Sequence, residues 1–427
     1  MNILIKSAKI IDPSSSFNNK IKDILILDGK IEKIASRISS NLYSSKYNVK
    51  VIKSKNLNVS PGWFDLHVNF CDPGYEHREN LKTGSQAAIK GGFTGVMLMP
   101  NTSPKIDNKS TLEYILNKNN DNILDIFPAA NLTKNQEGNE IVEMHDLSRA
   151  GCLAFTDDKH SIKNNNVLKI ALLYSKDCNS LIMNFPYDNQ ISKDGCMNEG
   201  IISTNLGLKG IPTLSEEIML DRDINLCKYT NGKLHISYLS AKNSISKIKK
   251  AKKEGLHVSC DVALHNLILT DSQVNNFDTR YKVLPPLRTQ NDNNSLINGL
   301  KNDTIDIITC DHTPFEEERK KIEFSNAAYG IIGLESGFGL LCKHIVPKIG
   351  INKLIEKISI NPRKLLGIKI PSIENKNTAN ITLFDTDNEW IFSKDDVKSQ
   401  SSNSPFLGEK LIGKPIAIYN NGKFKEC

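Results

Sequence analysis

Residues 61–74 read PGWFDLHVNFCDPG and come close to a metal-binding strand. Side chains alternate along a strand, so His67 and Asn69 project to one side of the apolar run that holds them. Two histidines at that spacing would grip a divalent ion from one strand end. Here the second position is an amide, a poor zinc ligand beside imidazole. The chemistry at stake is metal-assisted hydrolysis, and it turns on this position and a few like it.

Such a strand end needs a scaffold. Strand-like runs (ILIKSAKII, DILILDGKIEKIA) fill residues 3–60, with turn signals at Asp28-Gly29 and in the Ser/Asn stretch 38–47. A second strand-rich piece closes the chain, NITLFD (380–385) and PIAIYNNGKF (415–424), with Asn421-Gly422 a hairpin signal. Between them apolar strands (FTGVMLMP, LIMNFP, LHISYLS, HVSCDVA, IDIITCD) alternate with helical stretches. The pattern predicts an α/β chain: a (β/α)₈ barrel over 61–374, with a small β-sandwich built from 1–60 and 375–427. In such a barrel the chemistry sits at the C-terminal strand ends.

Composition narrows the class. Hydrophobic content of 39% and charged content of 24% are those of a soluble globular protein, expected in the cytoplasm. No run approaches the roughly 20 apolar residues of a membrane span, and MNILIKSAKIIDP reads as a strand, not a signal peptide. The net charge of +7 comes from scattered lysines without interleaved aromatics, which argues against a nucleic-acid partner. The densest run, KIKKAKKEG (247–255), has helical spacing with Ile248 and Ala251 inward. Nine cysteines without C-x-x-C spacing point to reduced thiols.

The chain resembles the dihydroorotases of the amidohydrolase superfamily. Against the family's D-x-H-x-H-x-R-x-P-G it places Asp65, His67, Asn69, Cys71, Pro73 and Gly74. The likeness continues in order through TGSQAAIKGGFTGVMLMPNTSP (83–104), AFTDD (154–158), MNEG (197–200), YKVLPPLR (281–288), IDIITCDHTP (305–314), YGIIGLESGFG (329–339) and NSPFLGEKLIGK (403–414). The resemblance implies hydrolysis of a small cyclic amide in de novo pyrimidine biosynthesis, by a homo-oligomer carrying two zinc ions. One ion is held by the H-x-H pair and a strand-8 aspartate, the other by two further histidines, and a carboxylate bridges them.

Carried over position by position, that site is incomplete. His67 and the strand-8 Asp311 are present, and the bridging carboxylate is Asp157 or Asp158, with Asp157 favoured. The third and fourth histidines fall on Phe185 and Tyr238. His235, three residues before Tyr238, is expected to point to the other side of its strand. The substrate's carboxylate contacts fall on Cys71 and Leu284 and its ring contact on Phe315, leaving Asn101. His312 is expected to face away from the pocket and His265 to be structural, with Lys159 and Tyr187 open as residues that enter it.

At most one metal position survives: His67, Asp157 and Asp311, with Asn69 as a further oxygen donor, for zinc or a harder ion such as manganese. Without an ion, the same residues would pair as a buried polar network. The resemblance with these losses implies an impaired or non-catalytic homologue, a pseudoenzyme that serves as structural partner of aspartate carbamoyltransferase. The alternative is an active dihydroorotase or other cyclic amidohydrolase, with Asp311 as ligand and general base and Asn101 on the substrate.

Overall fold

The computed structural model describes residues 1–40, 48–118 and 123–427, so most of the turn expected at 38–47 lies outside the described residues. The N-terminal segment forms β1 (Ile3–Ile10), β2 (Ile21–Leu27), β3 (Lys30–Ala35), β4 (Lys50–Ile52) and β5 (Leu57–Pro61). The C-terminal segment adds β16 (Ile381–Ile391), β17 (Lys410–Asn420) and β18 (Lys423–Glu426). They join in one sheet ordered β18-β17-β16-β5-β1-β2-β3, with β4 beside β1.

The junction is the antiparallel pairing of β16 with β5, Ile381 opposite Pro61 through Asp385 opposite Leu57. Alternation decides which face is buried. Ile3, Ile5, Ile24, Ile26, Val59, Ile381 and Leu383 fill one core, while Leu4 and Leu25 turn to Ile38 on the other face. The turn signal and the hairpin signal both form tight turns: Asp28 and Gly29 have φ of 46° and 79°, Asn421 and Gly422 of 51° and 72°.

The barrel strands are β6 (Trp63–Val68), β7 (Phe93–Leu98), β8 (Asp125–Pro128), β9 (Ala154–Phe155), β10 (Leu181–Asn184), β13 (Leu234–Ile236), β14 (Val258–Ala263) and β15 (Ile307–Thr309). A small pair, β11 (Met197–Asn198) and β12 (Gly210–Ile211), lies in the connection after β10. The barrel strands are parallel, in two arcs, β6-β7-β8 and β9-β10-β13-β14-β15. Parallel bridges Ala130–Phe155 and Val68–His312 close the arcs into a ring. Every residue of β6 and β7 is buried, as expected of parallel strands covered on both faces.

Helices wrap the outside. The lysine-rich run falls in the helix Lys242–Lys253, with Ile248 and Ala251 buried and its lysines outward. Trp63 ties barrel to sandwich by stacking on Phe338 at 4.3 Å and packing 5.4 Å from Phe384 of β16. All nine cysteines are free thiols. Among the described residues no helix is long and apolar enough to cross a membrane.

Candidate active site

Asp65 of β6 locks the first and last barrel strands together. Its carboxylate accepts from the amides of His67 (3.0 Å) and Cys310 (2.7 Å) and the hydroxyl of Thr309 (2.6 Å). That bracing sets His67 at the C-terminal end of β6, buried within the barrel.

Below the mouth lies a compact cluster. His67 Nε2 and His235 Nε2 both meet Asp261 Oδ2, at 2.6 and 2.7 Å, and the Tyr238 amide donates to Asp261 Oδ1 at 2.8 Å. His235 Nδ1 meets Ser259 Oγ at 2.8 Å. Burial pushes the Asp261 carboxyl up, but the charge and hydrogen bonds of the two histidines outweigh it and hold the acid ionised. Burial opposes charge on His67 as well, yet Asp261 first, then Asp158 and Asp311, raise its pKa above the ordinary histidine value.

Above the cluster, Lys159 Nζ donates to both oxygens of Asp311, at 2.9 and 2.7 Å, and sits 4.8 Å from the centre of the Tyr238 ring. Burial pushes the Asp311 carboxyl up to about 6, against the pull of Lys159. His265 Nε2 stands 3.7 Å from Asp311, and burial, then Lys159, bring its pKa down to about 3. The Tyr238 hydroxyl donates to Asp158 at 3.0 Å, and burial with the surrounding carboxylates keeps that phenol neutral. Asn101 Nδ2 donates to Asp158 and to Asn69 Oδ1 at 2.9 Å, while Gln136 Nε2 donates to Asn101 Oδ1 at 2.9 Å.

Four of these positions share one backbone feature. Cys71, Asp158, Tyr238 and Asp311 have φ of 59°, 48°, 59° and 49°, the left-handed region that non-glycine residues avoid. Each lies just past a barrel strand, where the turn re-aims the side chain and ends the two-residue alternation.

That turn corrects two sequence expectations. Asp157 does not join the cluster: its carboxylate accepts from the amides of Leu132 (2.9 Å) and Thr133 (3.1 Å) and from the Thr133 hydroxyl. Asp158 faces the mouth instead. His235 does not point away, because β13 ends at Ile236 and the chain then turns, so His235 and Tyr238 both reach the interior.

The remaining replaced positions are buried or covered. Phe185 stacks on Tyr187 at 5.3 Å and clusters with Tyr238 and Leu284. Phe315 lies 3.8 Å beneath the Arg78 guanidinium. Burial pushes the Cys71 thiol up to about 12. His312 turns to Glu79 at 3.4 Å. Asp261 went unnoticed in the sequence, although a lone acid inside the apolar strand HVSCDVA is a signal, since a buried carboxylate needs a partner. Arg78, Lys105 and Gln136 carried no signal; Gln136 reaches the mouth through a left-handed turn at Asn135 and Gln136.

Comparison with known proteins supplies the family. A family model described as dihydro-orotase-like matches residues 57–244. The chain is 39% identical to a dihydroorotase of Acetivibrio thermocellus over 423 residues, 98% of each chain. It is 40% identical to a dihydroorotase of a Thermoanaerobacter species over 428 residues, covering 100% of this chain and 97% of the other. The chain belongs to the dihydroorotase family. Its fold matches L-hydantoinase from Arthrobacter aurescens with a TM-score of 0.85 at 21% identity, over 99% of this chain and 95% of that one. Dihydropyrimidinase from Brevibacillus agri matches with a TM-score of 0.81 at 20% identity, over 99% and 95%. The (β/α)₈ barrel with its terminal β-sandwich is therefore the fold the chain shares with these hydantoinases.

A metal is what the resemblance leads one to expect, so the donor set matters. Among the described residues, His67, His235 and Asp261 offer donor atoms within 4.8 Å of one another and could hold one ion. Two histidines and a carboxylate suit a single divalent ion by type. Their separations of 2.6 and 2.7 Å are hydrogen-bond lengths, below the roughly 3.3 Å between two donors on a tetrahedral zinc, so an ion would have to part them. Phe185 and Tyr238 leave a second ion without nitrogen donors at the corresponding positions.

Proposed function

We propose that this chain works as a dihydroorotase in de novo pyrimidine biosynthesis, hydrolysing a six-membered cyclic amide, and re-forming it, at the C-terminal mouth of the barrel. The observation that carries the reading is kinship along the whole chain with proteins of that name. Asp311 is the proton carrier: buried at the mouth with a carboxyl pushed up to about 6, it takes a proton from the attacking water and returns it to the leaving nitrogen. Asn101, set by Asn69 and Gln136, orients the substrate's polar edge. Zinc or manganese, when bound to His67, His235 and Asp261, would supply the Lewis acidity that amide hydrolysis draws on. A homo-oligomer in the cytoplasm suits this role.

One observation favours a second reading. The Lys159 ammonium occupies both oxygens of Asp311, and His67, Asp157 and Asp158 are each satisfied within the protein. A buried site whose charges are already paired has little call for an ion. On that reading the chain is a non-catalytic homologue that organises a partner enzyme such as aspartate carbamoyltransferase.

Turnover separates the two. Purified protein supplemented with zinc or manganese is assayed for ring opening of dihydroorotate and for ring closure. Activity abolished by Asp311→Ala is the expected result. No activity and no stoichiometric metal would overturn the enzymatic reading in favour of the second.

A further inference from the structure

We infer that the barrel mouth holds a small dianion, the open-chain dicarboxylate in preference to the cyclic monoanion, through a basic subsite on Arg78, Lys105 and Arg319. The identity of that dicarboxylate rests on the dihydroorotase reading; the charge preference does not.

The mouth is a cavity of about 570 Å³ whose lining includes Arg78, Lys105, Lys159, Lys282 and Arg319 against one carboxylate, Asp158. Asp311, just beneath, balances Lys159. Setting these two acids against the five cations leaves three positive charges facing one small space. Lys282 is committed to the carbonyls of Phe324 (2.7 Å) and Ser325 (2.9 Å). Lys105 and Arg319 line the same space, Lys105 within the field of Asp157, Asp107 and Asp158.

Arg78 is held in place. Its Nε and Nη2 donate to the Pro314 carbonyl at 3.1 and 2.9 Å, and its plane lies 3.8 Å over Phe315. One edge of the guanidinium remains for a ligand, and a fixed guanidinium suits carboxylate. This places an anion contact on the loop after β6, away from Cys71, whose buried neutral thiol offers a carboxylate nothing.

The reaction of the proposed function changes the ligand's charge. Water's oxygen bonds to the ring carbonyl carbon, the carbon–nitrogen bond breaks, and the nitrogen takes a proton. The new carboxylic acid then ionises. Dihydroorotate enters with one negative charge and leaves as a ureido dicarboxylate with two. A mouth with three surplus positive charges favours the second form, and in a half-enclosed cavity the extra ion pair is worth about a factor of ten.

Calorimetric titration of the full-length protein tests this with dihydroorotate, N-carbamoyl-aspartate, succinate and inorganic phosphate. N-carbamoyl-aspartate is expected to bind about ten-fold tighter than dihydroorotate, with affinity falling as salt rises. Lys105→Gln, on a partly buried side chain, and Arg78→Gln are each expected to weaken it about ten-fold while the dihydroorotate affinity falls less. Binding of succinate or phosphate with N-carbamoyl-aspartate excluded would keep the dianion subsite and overturn the pyrimidine reading. Equal affinity for ring and open chain, or no binding by any dianion to folded protein, would overturn the subsite.

Discussion

Asp261 is the residue on which the floor of the mouth depends. It pairs with two buried imidazoles and a backbone amide, and nothing else among the described residues replaces it. Removing one partner of a buried charged cluster costs about 3 kcal/mol or more. Asp261→Ala is therefore expected to lower the urea midpoint by that equivalent. An unchanged midpoint would mean the histidines find other partners. Asp311 adds a pH signature. Its carboxyl lies at about 6 in the fold against an ordinary 3.8, so between those values the native state holds a proton that the unfolded chain has lost. Its contribution to stability is full below about pH 4 and disappears as pH rises through about 6. Asp311→Asn should flatten that part of the stability curve, read from urea midpoints at several pH values. At this scale the sequence was legible where a residue type alone carries meaning. Spacing and motif pointed to His67, Asn69 and Asp311, and to the aromatics Phe185 and Tyr238; of the three expected donors only His67 belongs to the donor group, since Asp311 meets Lys159 and Asn69 meets Asn101. Lys159 was left open, since nothing in a lone lysine shows which carboxylate it will meet.

The elements explain where that legibility stopped. Alternation holds in the sandwich, where β1, β2, β5 and β16 turn their apolar faces into one core. It failed just past the barrel strands, where Asp158 and Tyr238 adopt left-handed backbone and the register of sides is reset. Asp157 and Asp158 are thereby given opposite duties, and the two can be separated. Asp157→Ala strips a carboxylate from two amides and a hydroxyl and should cost about 1–3 kcal/mol in chemical denaturation. It should leave anion affinity at the mouth unchanged. Asp158→Ala removes the mouth's own carboxylate and should tighten dianion binding by several-fold, measured by calorimetry. If Asp157→Ala alters affinity and Asp158→Ala does not, the assignment of the two is reversed.

For the whole molecule, barrel and sandwich were both readable, because strand–helix alternation and terminal strand pairs are patterns that survive surface divergence. The carboxylates of the mouth and its floor, Asp158, Asp261 and Asp311, are each paired within the protein. On the second reading, with no ion bound, EDTA treatment shifts the melting temperature by no more than about 1 °C. A large drop would place a metal in the structural core. The sandwich also has a timetable. Strand β5 ends at Pro61, while its neighbour β16 begins at Ile381, some 320 residues later. At roughly 5–20 residues per second, a ribosome needs about a quarter of a minute to a minute to deliver the second strand after the first. Throughout that interval one edge of β5 stays open as a row of unmet backbone groups, a template for another nascent chain. The oldest part of the polypeptide is thus the last to be completed, and its safety during synthesis depends on whatever shields that edge in the meantime.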